Sequence, residues 1–181
     1  IIQGKIDPAH QASEESLKLA KETDDIYAKG MAYSSHGITC YCRGLHQEAE
    51  SYLLRGLAFC EKTTLGTWES YSSLWLGEIY VDLGQFETAQ IYYKKATSAF
   101  DSMGALPSWL NFYKLCLARA KVLNNDQITN LGELIECYEN YRFKVFGGWM
   151  ARHIAEILLN IDDDHMPEAK VWVRKAVEAD Q

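Results

Sequence analysis

Cys40 and Cys42, with His46 four residues further on, are the residue types in this sequence that best suit a metal, because thiolates and imidazoles at short spacing attract zinc. Two residues apart on a helix, however, side chains point about 200° apart, and a fourth ligand is not in view. The pair therefore reads as structural cysteine, the commoner use of a buried free thiol. Asp162-Asp163-Asp164-His165 sets three carboxylates in one turn, but the spaced oxygen ligands and the Gly of a calcium loop are missing. Asp164 is expected to cap the helix that follows, with its charge at the positive end. Gly147-Gly148, near Arg142 and Lys144, lacks the Gly-Lys-Ser/Thr geometry of a phosphate loop and reads as a hinge. No Ser, His and Asp share the local spacing of a triad. These residues point away from an enzyme and call for no metal and no cofactor.

The bulk numbers narrow the classes further. Of 181 residues, 48% are hydrophobic and 24% charged, with three prolines, which suits a folded domain rather than a disordered chain. Lys plus Arg total 18 against 25 Asp plus Glu, a net charge of −7 with pI near 5.2. That balance opposes phosphate attraction, so no nucleic-acid partner is expected. Apolar runs fall far short of the roughly 20 residues that span a bilayer, so no membrane partner is expected either. Five cysteines, an odd number, read as free thiols of a reducing cytoplasm. The sequence opens at Ile1 in mid-pattern and reads as a piece of a longer protein.

The elements that carry these residues follow from a repeat. An offset of forty places Gly37 on Gly77, Gly44 on Gly84 and Ala49 on Ala89, and backward it sets Ala9 and Leu17 beneath Ala49 and Leu57. Periods of 20 to 50 residues signal solenoids. Within a unit the apolar spacing is helical: Tyr71, Leu74, Trp75, Glu78 and Val81 share one stripe, Leu76, Ile79, Tyr80 and Leu83 the next. Gly84 suits a left-handed C-cap and Phe86 opens a second helix through Ala89, Tyr93 and Ala96. Each unit is thus a helical hairpin in which Gly77 and Ala89 let the backbones approach. The chain divides into a single all-α domain over 1–181, with a partial unit at 1–23 and full units at 24–63, 64–104, 105–141 and 142–181. In the third unit Ala118 takes the close-approach position, Pro107 suits a first helical turn, and Asn130-Leu131-Gly132-Glu133 supplies a capping box ahead of a short helix.

Leu76, Gly77, Tyr80, Gly84, Phe86, Ala89, Tyr93 and Ala96 together resemble the tetratricopeptide repeat signature. The preceding unit departs from it at His36, Cys40 and Gly56. The unit length near forty, with Leu106-Pro107-Ser108-Trp109 and Gly148-Trp149-Met150-Ala151-Arg152, is similar to the repeat tails of large bacterial signalling proteins that carry an ATPase and often a nucleotide cyclase. The resemblance implies a right-handed superhelical solenoid of antiparallel hairpins, with a concave groove lined by the first helix of each unit.

Mapped here, the groove holds Met31, Ser34, Ser35, Ile38, Tyr41 and Cys42 in one unit. Tyr71, Leu74, Trp75, Glu78, Val81 and Asp82 follow in the next, then Phe112, Leu115, Arg119 and Val122, and last Trp149, Arg152, His153 and Glu156. Tyr41, Tyr71, Leu74, Trp75, Glu78, Asp82, Phe112, Arg119, Trp149, Arg152 and Glu156 are the expected partner-binding residues, with Trp75 foremost. Ser34, Ile38, Leu74 and Glu78 stand where some relatives clamp a C-terminal carboxylate with Lys, Asn and Arg, and a Glu would repel that group. The expected function is a non-enzymatic scaffold that binds a protein or peptide partner, or other domains of its parent chain. The alternative is a spacer that self-associates through the solenoid ends, at Ile1 and Ile2 or at Val171, Trp172 and Val173.

Overall fold

The computed structural model describes residues 4–102, 104, 107–126, 130–141 and 144–179. Among them the chain forms α1 (Ile6–Lys21), α2 (Ile26–Cys42), α3 (His46–Thr63), α4 (Gly66–Asp82), α5 (Phe86–Asp101), α6 (Pro107–Leu123), α7 (Leu131–Glu139), α8 (Gly147–Ile161) and α9 (Met166–Ala179). The fold is all-α, with helices packed in consecutive pairs: α2 on α3, α4 on α5, α8 on α9. α3 then meets α4, and α5 meets α6, so the pairs form a row. The chain exposes 9930 Å², above the roughly 9,000 Å² of a compact chain of this mass, as an open row does.

One turn recurs along the row. Gly84 stands at φ +70°, its N–H reaching the Val81 carbonyl at 2.9 Å while Gln85 N–H reaches the Tyr80 carbonyl at 2.8 Å. Gly44, at φ +77°, repeats both bonds with Tyr41 and Cys40. Asn125, at φ +59°, repeats them after α6, with Val122 and, through Asp126 N–H, Lys121. The left-handed backbone costs a Cβ-bearing residue about 1–2 kcal/mol, and Asn tolerates it best after Gly.

Close approach is equally local. A Cβ on Gly77 would stand 2.4 Å from the Tyr93 ring, and one on Gly37 2.7 Å from Leu53 Cγ and 3.1 Å from the Ala49 carbonyl. Both lie below van der Waals contact, so glycine sets the depth of each hairpin.

The third pair differs. α3 opens two residues after its turn glycine and α5 does the same, whereas α7 opens at Leu131, six after Asn125, and has nine residues against 18 and 16. Asn130 caps it as expected, its Oδ1 accepting from Glu133 N–H at 3.3 Å and its Nδ2 donating to Glu133 Oε1 at 2.9 Å. A short α7 covers little of α6, and α8 packs directly on α6.

Two expectations are corrected. Asp162, not Asp164, is the cap: its Oδ1 accepts from His165 N–H at 3.2 Å and from His165 Nδ1 at 2.6 Å, opening a 3-10 turn over Asp163–His165. Gly147 and Gly148 form the first turn of α8 after a 3-10 turn at Lys144–Phe146, so they continue a helix rather than interrupt two. Arg142, Leu106, Ile1 and Ile2 lie outside the described residues.

A continuous apolar core runs from α4 to α9, and a second joins α2, α3 and α4. Between α1 and α2 the fully buried apolar set shrinks to Leu17, Ala20 and Ala32.

Candidate functional site: the face of α2, α4, α6 and α8

The expected groove stripe comes together across four helices, and it lies in two layers. The lower layer is an ion ladder. Arg119 of α6, 7% exposed, donates from Nη1 to Glu78 Oε2 of α4 at 3.1 Å and from Nε to Glu156 Oε2 of α8 at 2.7 Å. Tyr93 O–H of α5 donates to the other Glu78 oxygen at 2.7 Å. Glu78 is 1% exposed, so both its oxygens are satisfied inside the protein. Burial opposes the Arg119 charge, yet Glu78 and Glu156 hold its guanidinium above its ordinary pKa. Burial and the Glu78 carboxylate push the Tyr93 phenol well up, which keeps it a donor. Leu74, at 1% exposure, and Phe112, fully buried, pack in this same layer.

The upper layer is aromatic. Tyr41 meets Trp75 at 5.1 Å between ring centroids, and Trp75 meets Trp149 edge to face at 5.3 Å. Arg152 lies 5.7 Å over the Trp149 ring, within reach of a cation–π attraction. Tyr41 O–H donates to Asp82 Oδ2 at 2.8 Å, and burial, with Glu78 and Asp82, raises its pKa. Phe112 stacks on Phe146 at 4.7 Å and reaches Trp149 at 6.1 Å. Tyr71 stands apart from this row, against Trp68 and Trp109.

Accessibility separates the expected residues. Asp82 and Arg152 are exposed; Tyr41, Tyr71, Trp149 and Glu156 are half-buried; Leu74, Trp75, Glu78, Phe112 and Arg119 lie beneath the surface. Trp75, 8% exposed, is enclosed between Tyr41 and Trp149, so Trp149 is the indole this face presents. A separate cleft of about 430 Å³ opens between α6 and α7, lined by residues such as Lys114, Lys121, Glu133 and Cys137.

Two groups of side chains could hold a metal. Glu78, Cys116 and His153 place one ligand atom each within 4.8 Å of the others, all buried. Arg119 already occupies that carboxylate, and burial, followed by Glu78, drives the Cys116 thiol well up. Burial and the Arg119 charge hold His153 well below its ordinary pKa, and its Nδ1 has no partner among the described residues. His10, His36 and Cys40 form the second group, at the joint of α1 and α2. Sequence reasoning paired Cys40 with Cys42 and His46 instead; Cys42 is only half-buried and His46 lies against Tyr41. The missed signal is polar: His36 and Thr39 stand in a helix interior, opposite His10 and Ser13.

All five cysteines are free. Among the described residues no helix is long and apolar enough to cross a membrane.

Residues 71–101, from the second turn of α4 to the end of α5, match the tetratricopeptide repeat family model. No curated protein matches the sequence significantly. Crystal structures of nearly identical TPR-like repeats described as those of a kinesin light chain from Podosopora anserina share the fold. One aligns at 17% identity over 97% of this chain and 87% of that one with a TM-score of 0.62, and a single-substitution variant aligns over the same shares with 0.64. The chain therefore carries a tetratricopeptide repeat, generally a protein-interaction module and typically non-catalytic, at residues 71–101 within an all-α array that has the fold of TPR-like repeats.

Proposed function

We propose that this chain is a non-enzymatic scaffold whose face of α2, α4, α6 and α8 receives a peptide or helix of a protein partner, as the regulatory part of a larger cytoplasmic signalling protein. The observation that carries the reading is the rim of that face: Tyr41, Trp149 and Arg152 with Asp82 and Glu156, aromatic and charged groups left partly open over a rigid ion ladder. Partly exposed aromatic and Arg anchors are the side chains that dominate binding energy in protein interfaces. Glu78 and Arg119 hold this rim in register from below. Five free thiols suit the cytoplasm, and repeat units near forty residues suit the signalling tails.

The test immobilises the chain and compares proteins retained from the source lysate with those retained by Asp82→Lys/Arg152→Glu, a change at two exposed rim positions. Proteins kept by the first and lost by the second support the reading; equal retention by both sinks it. A second reading, self-association through the last helix, is favoured by Val171, Val173 and Val177, each 47–56% exposed on α9. Trp172 takes no part in it, being 3% exposed and packed edge-on against Tyr138. Light scattering across a concentration series decides: a constant monomer mass removes that alternative.

A further inference from the structure

The geometry points to a transition-metal site between α1 and α2, in which His10, His36 and Cys40 bind a divalent ion of the zinc class and leave its fourth position to solvent. One ring nitrogen of each histidine and the Cys40 sulfur lie within 4.8 Å of one another. Ligands at about 2.0–2.3 Å from a tetrahedral zinc stand about 3.3–3.7 Å apart, so a side-chain adjustment of about 1 Å closes the set.

Hydroxyls from both helices hold the two imidazoles in place. Ser13 Oγ donates to the His10 carbonyl at 2.7 Å, and Thr39 Oγ1 donates to the His36 carbonyl at 2.8 Å. The two hydroxyls also meet each other at 2.8 Å, and each touches an imidazole: Ser13 Oγ lies 3.0 Å from His36 Nδ1 and Thr39 Oγ1 3.2 Å from His10 Nδ1. With Nδ1 of each ring engaged by a hydroxyl, Nε2 is the nitrogen left for a metal. Metal-ligating histidines are oriented in this way, by a partner on the far nitrogen.

The surroundings favour a cation. Glu14 and Glu48 act on both His36 and Cys40, against Lys21 on the histidine and Arg43 on the thiol. Binding forms the metal–sulfur bond as the Cys40 thiol proton leaves to solvent. His10 is half-buried at the edge of α1 and gives the ion a way in, which the wholly buried Glu78, Cys116 and His153 group lacks. The site also ties α1 to α2 where the apolar contact is thinnest.

Cobalt(II), a coloured stand-in for zinc, tests the site on the metal-free chain. One equivalent should develop the visible bands of a tetrahedral ion with a near-ultraviolet thiolate band, and zinc should displace it and raise the melting temperature. Cys40→Ser should abolish the thiolate band. His10→Ala, at a half-exposed position the fold tolerates, should abolish the zinc-dependent rise in melting temperature. Ser13→Ala should weaken binding by about 10–100-fold, the usual cost of losing such a partner. Cys116→Ser should change none of these. No thiolate band in the parent chain, a band that survives Cys40→Ser, or a zinc-dependent rise that persists in His10→Ala overturns the assignment.

Discussion

The pairs α4–α5 and α6–α7 share a turn and part company after it. Gly84 and Asn125 close their first helices with the same two backbone bonds, but α5 runs 16 residues and α7 nine. In the longer pair, Gly77 lets Tyr93 cross the hairpin, and two helices cover each other. In the shorter pair, α6 is left to be covered by its neighbour, and Arg119 and Phe112 meet Glu156 and Trp149 of α8. Where a hairpin is complete, apolar packing sets the geometry; where it is truncated, an ion ladder and an aromatic row across the next unit take over.

The largest test of that contrast is Arg119→Met. Stranding Glu78 without its cation should cost about 3–5 kcal/mol in urea unfolding, whereas Glu78→Met/Arg119→Met should cost far less, because removing both buried charges removes the desolvation penalty as well. Equal losses in the single and double variants would mean the ladder is not what joins α6 to its neighbours. Next, Gly77→Ala should cost about 1–3 kcal/mol, since its methyl meets the Tyr93 ring, while Ala118→Gly at the matching place in α6 should cost only about 1 kcal/mol through helix propensity. If the two changes cost the same, glycine does not set the hairpin's depth. The smallest effect belongs to a turn: Gly84→Ala should lose about 1–2 kcal/mol at its left-handed φ, whereas Asn125→Gly should be neutral or slightly stabilising, both read from thermal melts.

What could be read in advance follows the range of the interaction. Gly44 and Gly84 announce their turns because the backbone there tolerates little else, and Asn130 announces the start of α7 through its own cap. The direction of the stripe from Tyr71 to Asp82 is set by helical period, so its convergence with Arg119 and Trp149 was legible. Its depth was not. Whether Trp75 or Trp149 faces water depends on α8 lying across α6, which follows from the length of α7 and leaves no mark on α4. Asn125 was overlooked because the repeat slips by one residue there. His36 reads as a flawed leucine until α1 brings His10 and Ser13 beside it, a contact that no period within α2 encodes.

An array in which each unit touches only the next behaves as a one-dimensional chain, free to fray from either end. The Trp75–Trp149 contact breaks that rule, because it joins α4 to α8 past the intervening pair and closes a ring of structure. Opening α8 then requires opening the middle of the molecule, so its amide protons should exchange with solvent as slowly as those of α4. α1, which packs mainly on α2, has no such tie and should exchange first.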